Sequence, residues 1–170
     1  FDTKEFNQLV SDLSTENFNS EIYIRYKKIE DVFKNSCAEK IKLIENCTYN
    51  EFHLKNPNLK SYVTINYQNI FEDSINQKLM YFIQYKDENI GLIAAEEDNY
   101  FSKPSLYMNE IVLREEFKGK KIATAAQRKL IELNKSRFAY IWGKIDAKNI
   151  PSTKNAFRVG RKIISSEILL

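Results

Sequence analysis

The chain has 170 residues, of which 43% are hydrophobic and 13% aromatic, with 26 basic against 23 acidic side chains and a net charge of +3. That length suffices for one domain with its own core, and four glycines and three prolines exclude a collagenous or Gly/Pro-rich chain. No apolar run approaches the ~20 residues of a membrane span, no signal-peptide pattern is visible, and a small, dispersed positive charge argues against a nucleic-acid partner.

The chain opens at Phe1, which suits a piece of a longer protein, and residues 1–19 read as an N-terminal extension. Residues 22–26, IYIRY, alternate apolar and polar side chains and predict a strand. Ile29, Val32, Phe33, Cys37, Ile41 and Ile44 then recur at helical spacing, so one or two helices are expected over 29–45. Cys37 and Cys47 form neither a disulfide framework nor a metal set, and read as buried helix positions. His53 is the only histidine, which argues against a histidine zinc site or a Ser-His-Asp triad. A cytoplasmic protein is expected. Within 46–78 the pattern is weakest; YVTINY (62–67) suggests a short strand and NIFEDSINQKL (69–79) a helix.

From residue 79 the pattern sharpens. LMYFIQY (79–85) predicts a central strand, KDEN a turn, and IGLIAAEE (90–97) the returning arm of a hairpin. A loop over 98–104 is expected to end at Pro104, followed by a third strand, SLYMNEIVL (105–113). Ile122, Ala126, Leu130 and Leu133 share one face of a following helix. RFAYIWGKID (137–146) predicts a fourth strand. NIPSTKNAFRVG (149–160) predicts a short helix capped by Asn149 or Ser152, with Pro151 in its first turn and Gly160 as terminator. KIISSEIL (162–169) predicts a last strand. The succession predicts an α/β fold with a mixed sheet.

LREEFKGKKIATAAQRKL (113–130) concentrates the chemistry. A helix N-terminus presents unsatisfied N–H donors and about half a positive charge, which suits a phosphate. Gly119 permits close backbone approach, and Lys118, Lys120 and Lys121 add charge. The P-loop pattern GxxxxGK[ST] and the dinucleotide pattern GxGxxG are both absent. On its own, the stretch also fits a solvated basic turn.

The stretch LYMNEIVLREEFKGKKIATAAQRKLIE followed by NIPSTKNAFRVG resembles the GNAT acetyltransferase superfamily. Leu113, Glu116, Phe117, Lys118, Gly119, Lys120, Ile122 and Ala123 fall where that family carries V-x-P-E-Y-R-G-x-G-I-G/A at a strand-to-helix junction. Asn149, Pro151, Ser152 and Gly160 match its N-x-P-S-(x)7-G helix, and YIRYKKIEDVFK looks like its first strand and helix. The resemblance covers roughly 20–168, and is densest over 105–160. It implies a single GNAT-like domain with an acyl-CoA N-acyltransferase-like sheet, a CoA-binding core at 105–160 and a variable acceptor-side segment at 46–78. It also implies acetyl-CoA, or another acyl-CoA, as donor cosubstrate, its diphosphate on the amides of Gly119, Lys120, Lys121, Ile122, Ala123 and Thr124, beside the Lys118 side chain. The pantetheine arm would pair with Ile111, Val112 and Leu113 where two parallel strands splay apart at a bulge. Asn149 and Ser152 would contact the same arm or simply cap their helix.

Lys121 stands where the family has glycine, and its expected conformation is helical, with negative φ; a positive φ at this position would damage the site. Acyl transfer to an amine requires an alkylammonium of pKa ~10.4 to lose a proton, about 4 kcal/mol near neutral pH. Glu110 is the candidate base, either directly or through water, with Asn109 expected on the opposite face. The Ile111 amide is the candidate oxyanion donor. The family's tyrosine acid is replaced by Ala156, for which Tyr140 is a possible substitute, although a packed aromatic fits Tyr140 as well. Glu51, Asp73, Glu97 and Asp98 suit a cationic acceptor or plain surface charge. The partners expected are acetyl-CoA and an amine, with no nucleic acid and no membrane. A non-catalytic CoA-binding or interaction module of the same fold is the alternative.

Overall fold

Four strands form one sheet in the order β1 (Met80–Tyr85), β2 (Glu88–Tyr100), β3 (Lys103–Leu113) and β4 (Tyr140–Trp142). The computed structural model describes residues 48–64, 68–85 and 88–166, so the strand expected at 22–26 and the helices expected at 29–45 lie outside it. β1 and β3 run antiparallel to β2, and β4 runs parallel to β3, giving the expected mixed sheet. The helices are α1 (residues 48–55), α2 (Gln68–Asn76), α3 (Ile122–Asn134) and α4 (Ile150–Arg158). α3 carries the crossover that parallel pairing of β3 and β4 requires.

Strand alternation divides the core between the two faces. Tyr81, Ile83, Ile93, Ala95, Leu106, Met108 and Leu113 pack with Ile122, Ala126 and Leu130 of α3. Met80, Phe82, Leu92, Ala94 and Val112 pack with Tyr49 of α1 and Phe71 of α2. β2 and β3 approach so closely that a Cβ on Gly91 would lie 2.2 Å from the Val112 carbonyl oxygen. Glycine is therefore required there by contact.

The ladder between β2 and β3 contains a bulge. Ala94 pairs with Glu110 and Ala95 with Met108, which leaves Asn109 as the extra residue. Beyond it the parity of β3 reverses. Leu106 and Met108 share a core with Leu113, and Val112 joins the opposite one.

Several expectations are corrected. The loop at 98–104 is instead a two-residue turn: Phe101 and Ser102 have φ of 49° and 57°, the geometry that matches strand twist. β2 thus runs to Tyr100, and Pro104 sits inside β3, its carbonyl accepting from the Ala139 N–H at 2.9 Å. β4 keeps only three of the residues expected at 137–146. Residues 62–64 turn rather than extend, held by the Val63 N–H to the Leu59 carbonyl at 2.9 Å. Residues 162–166 are not a strand, and Ile163 and Ile164 are exposed.

Candidate active site

The turn from β3 into α3 is built by backbone geometry. Glu115–Phe117 form one 3-10 turn, Lys118 is extended at φ −69° and ψ 159°, and Gly119 has φ +76°. Lys121 has φ +61° and ψ 9°, not the negative φ expected, and occupies the N-cap of α3. The chain must reverse from extended Lys118 into the helix within three residues, and the second left-handed residue completes that reversal. A non-glycine residue pays for this conformation with roughly 1–2 kcal/mol, and solvent exposure gives its side chain room.

No side chain caps α3, and its first backbone bond runs from the Ala125 N–H to the Lys121 carbonyl at 3.0 Å. The amides of Ile122, Ala123 and Thr124 therefore stand ahead of the helical ladder. A Cβ placed on Gly119 would meet nothing within 4 Å, so the space over the turn is open. Lys120 and Lys121 are exposed beside it. Lys118 is pinned instead, its Nζ 2.8 Å from Glu115 Oε2 and 5.0 Å from the Phe52 ring centroid. Open space, oriented amides and two exposed cations fit a diphosphate.

The second half of the site is the edge of β3. Pairing with β4 covers only Ser105–Tyr107, and ends at Tyr107 with Trp142. The Arg114 N–H bonds the Ile90 carbonyl of β2 at 2.9 Å, so by alternation the Ile111 and Leu113 amides point away from β2, to the side β4 has left. The parallel ladder thus ends short of Ile111–Leu113, the stretch where the splay is expected. Arg161 closes the end of β4, its Nη2 donating to the Gly143 carbonyl at 3.0 Å. Burial pushes the Arg161 guanidinium below its ordinary pKa, with Tyr107 opposing.

Glu110 lies at this edge. Its Oε1 accepts from the Ile111 N–H at 3.1 Å, and its Oε2 from the Tyr49 hydroxyl at 2.6 Å. Tyr49 is 6% exposed and belongs to the core below α1. Asn109 was expected on the opposite face, yet its Nδ2 donates to Ser74 Oγ of α2 at 3.3 Å. The bulge is the reason, because it places two consecutive side chains on one face. Sequence reasoning missed Tyr49, since nothing local marks a tyrosine in an unreadable segment as a carboxylate partner.

α4 is capped as expected. Asn149 Oδ1 accepts from the Ser152 N–H at 3.3 Å, Pro151 lies in the first turn, and Gly160 follows the helix at φ +86°. α4 is tied to the start of α3 by the buried Thr124 hydroxyl, which donates to Asn155 Oδ1 at 2.7 Å. Ala156 is buried. Tyr140 pairs with Ser105 at the closed end of the β3–β4 ladder, and so stands apart from the splay. Glu97 pairs with Arg137, and Asp98 faces Ser105, both towards the hairpin end of the sheet. Glu51 lines an open depression of about 470 Å³ with Leu54, Lys55, Glu115 and Glu116.

A family model described as the acetyltransferase (GNAT) family matches residues 41–158. The chain belongs to this family. Its mixed sheet flanked by helices is the acyl-CoA N-acyltransferase-like fold. Among solved structures, Arabidopsis thaliana Naa50 in complex with the bisubstrate analogue CoA-Ac-MVNAL is 17% identical, with a TM-score of 0.53 over 68% of this chain and 79% of that one. A mutant BH1408 protein from Bacillus halodurans is 13% identical, with a TM-score of 0.60 over 86% and 97%. An aminoglycoside acetyltransferase, meta-AAC0020, from an uncultured soil metagenomic sample, in complex with sisomicin, is 12% identical, with a TM-score of 0.56 over 86% and 95%. At these identities the likeness is one of fold. No curated protein sequence matches this GNAT chain. Among the described residues, no helix is long and apolar enough to cross a membrane.

Proposed function

We propose that this GNAT protein is an acetyl-CoA-dependent N-acetyltransferase in which an amine attacks the thioester directly. One observation carries the proposal. The Glu110 carboxylate and the Ile111 amide, a proton acceptor and a hydrogen-bond donor, sit side by side on the strand edge that β4 abandons. In this scheme the pantetheine arm lies along Ile111, Val112 and Leu113. The diphosphate rests on the amides of Gly119 to Thr124, with Lys118 at its flank and Lys120 and Lys121 adding charge. Asn149 and Ser152 shape the wall opposite by fixing the start of α4.

Glu110 takes the proton that the acceptor ammonium must lose, and the Ile111 amide holds the carbonyl oxygen as it gains charge. The amine nitrogen forms the new C–N bond, the C–S bond breaks, and the electron pair leaves on sulfur. A thiol of pKa ~8.5 is a tolerable leaving group, so alanine at position 156 does not bar the reaction. The complexes of the neighbours, one with a peptidyl CoA analogue and one with sisomicin, support an amine as acceptor.

Calorimetry with acetyl-CoA, followed by thiol release across a panel of peptide N-termini, lysines, polyamines and aminoglycosides, tests the proposal. Binding with amine-dependent thiol release is the expected result. Binding without release for any amine would leave a CoA-binding module, and no binding at millimolar ligand would end the proposal.

A further inference from the structure

We infer that Tyr49 is a positioning residue for acyl transfer: its hydroxyl retains Oε2 of the Glu110 carboxylate when the thioester claims the Ile111 amide. The inference rests on the proposed function and adds a residue and a sequence of contacts to it. Each oxygen of Glu110 has a donor in the structure, the Ile111 N–H at 3.1 Å for Oε1 and the Tyr49 hydroxyl at 2.6 Å for Oε2. An amide N–H supplies one strong hydrogen bond. The Ile111 amide therefore cannot serve Glu110 and the thioester oxygen together, and substrate binding displaces Oε1.

Oε2 remains on the phenol. The Tyr49 ring packs with Phe71, Met80, Phe82 and Val112, which fixes the hydroxyl against the sheet. Its helix is held in turn by His53 one turn on, whose ring lies 6.0 Å from that of Tyr49 and whose Nε2 is 2.6 Å from the Val63 carbonyl oxygen. On the strand side, the Asn109 bond to Ser74 fixes the bulge. With Oε2 held, the displaced Oε1 turns to the acceptor and accepts one proton from its ammonium. The nitrogen lone pair so exposed forms the C–N bond, the C–S pair departs on sulfur, and the second ammonium proton passes to solvent or to the thiolate. The same carboxylate thus occupies the oxyanion donor before substrate arrives and serves as base afterwards.

Tyr49→Phe keeps the ring and removes only the donor. In the full chain, kcat should fall roughly 10- to 100-fold, with the acetyl-CoA Kd within about twofold of wild type. In a Glu110→Gln background the same substitution should have no further effect on kcat. An unchanged kcat in Tyr49→Phe, or an equal loss in both backgrounds, would overturn the inference and leave the tyrosine a packing residue. Wild-type activity in Glu110→Gln would instead sink the base assignment, and with it this inference, at an earlier step. A crystal structure of the unmutated protein with a non-hydrolysable acetyl-CoA analogue needs no variant. It should show Oε1 released from the Ile111 amide, with Oε2 still bonded to Tyr49, and retention of the Ile111 contact would overturn the inference.

Discussion

The hydroxyl of Tyr49 and Oε2 of Glu110 are joined by a 2.6 Å hydrogen bond across 61 residues of sequence. The bond links a helix in the least patterned part of the chain to the strand that carries the proposed base. Glu110→Gln keeps an oxygen for Tyr49 to donate to and removes the ability to take a proton. We expect kcat to fall about 10²- to 10⁴-fold and acetyl-CoA affinity to stay unchanged, as measured by thiol release and calorimetry. A parallel loss of affinity would assign Glu110 to cosubstrate binding.

The sequence shows the part of this site that depends on local chemistry. Asn149, Pro151 and Gly160 mark α4 because capping, φ restriction and positive φ act within a few residues. The apolar spacing of Ile122, Ala126 and Leu130 marks α3 for the same reason, whereas Leu133, expected on the same face, is exposed. The bulge at Asn109 depends on pairing between strands, so alternation alone places Asn109 and Glu110 on opposite faces, and the structure does not. The extent of β4 was equally hidden. Strand formers recur over 137–146 at Phe138, Tyr140, Ile141, Trp142 and Ile145, but β3 stops pairing with them after Trp142. Phe101 and Ser102 adopt left-handed backbone with none of the usual Asn or Gly signals, which is why a tight turn read as a loop.

Lys121 sits in the left-handed region at φ +61°. Substitution by glycine relieves roughly 1–2 kcal/mol of backbone strain, against up to about 1 kcal/mol of extra unfolded-chain entropy. Lys121→Gly should therefore raise the unfolding free energy by up to about 1 kcal/mol, while Lys121→Ala, which keeps a Cβ, should not. Urea denaturation of the three proteins separates the cases. Both variants should lose acetyl-CoA affinity at low salt and converge with wild type as salt screens the missing charge.

The Thr124–Asn155 bond joins the amides that would hold a diphosphate to the helix opposite them. Both side chains are buried, at 6% and 8% exposure, so removing the donor alone strands an acceptor. Thr124→Val should destabilise the fold by about 1–3 kcal/mol and weaken acetyl-CoA binding by letting α3 and α4 move apart. If the denaturation midpoint drops while affinity holds, the bond serves folding only.

Glu115 ties the same turn to α1: Oε2 lies 2.8 Å from Lys118 Nζ and Oε1 lies 3.0 Å from Lys55 Nζ. The hydrogen bond from Lys118 holds its carboxyl below the usual range, burial opposes this, and Lys55 adds to the lowering. A folded-state pKa below the unfolded value means that the unfolded chain binds the proton more readily. The resulting stability is fully present above the ordinary carboxylate pKa of ~4.3, and is lost as pH falls through the lower folded value. Glu115→Gln should thus cost up to about 1 kcal/mol at pH 7, less in high salt, and nothing once the pH lies below the folded pKa of Glu115. Urea titrations of both proteins at neutral and strongly acid pH measure this directly. A difference that persists in acid would show that Glu115 acts there through packing, not through its charge.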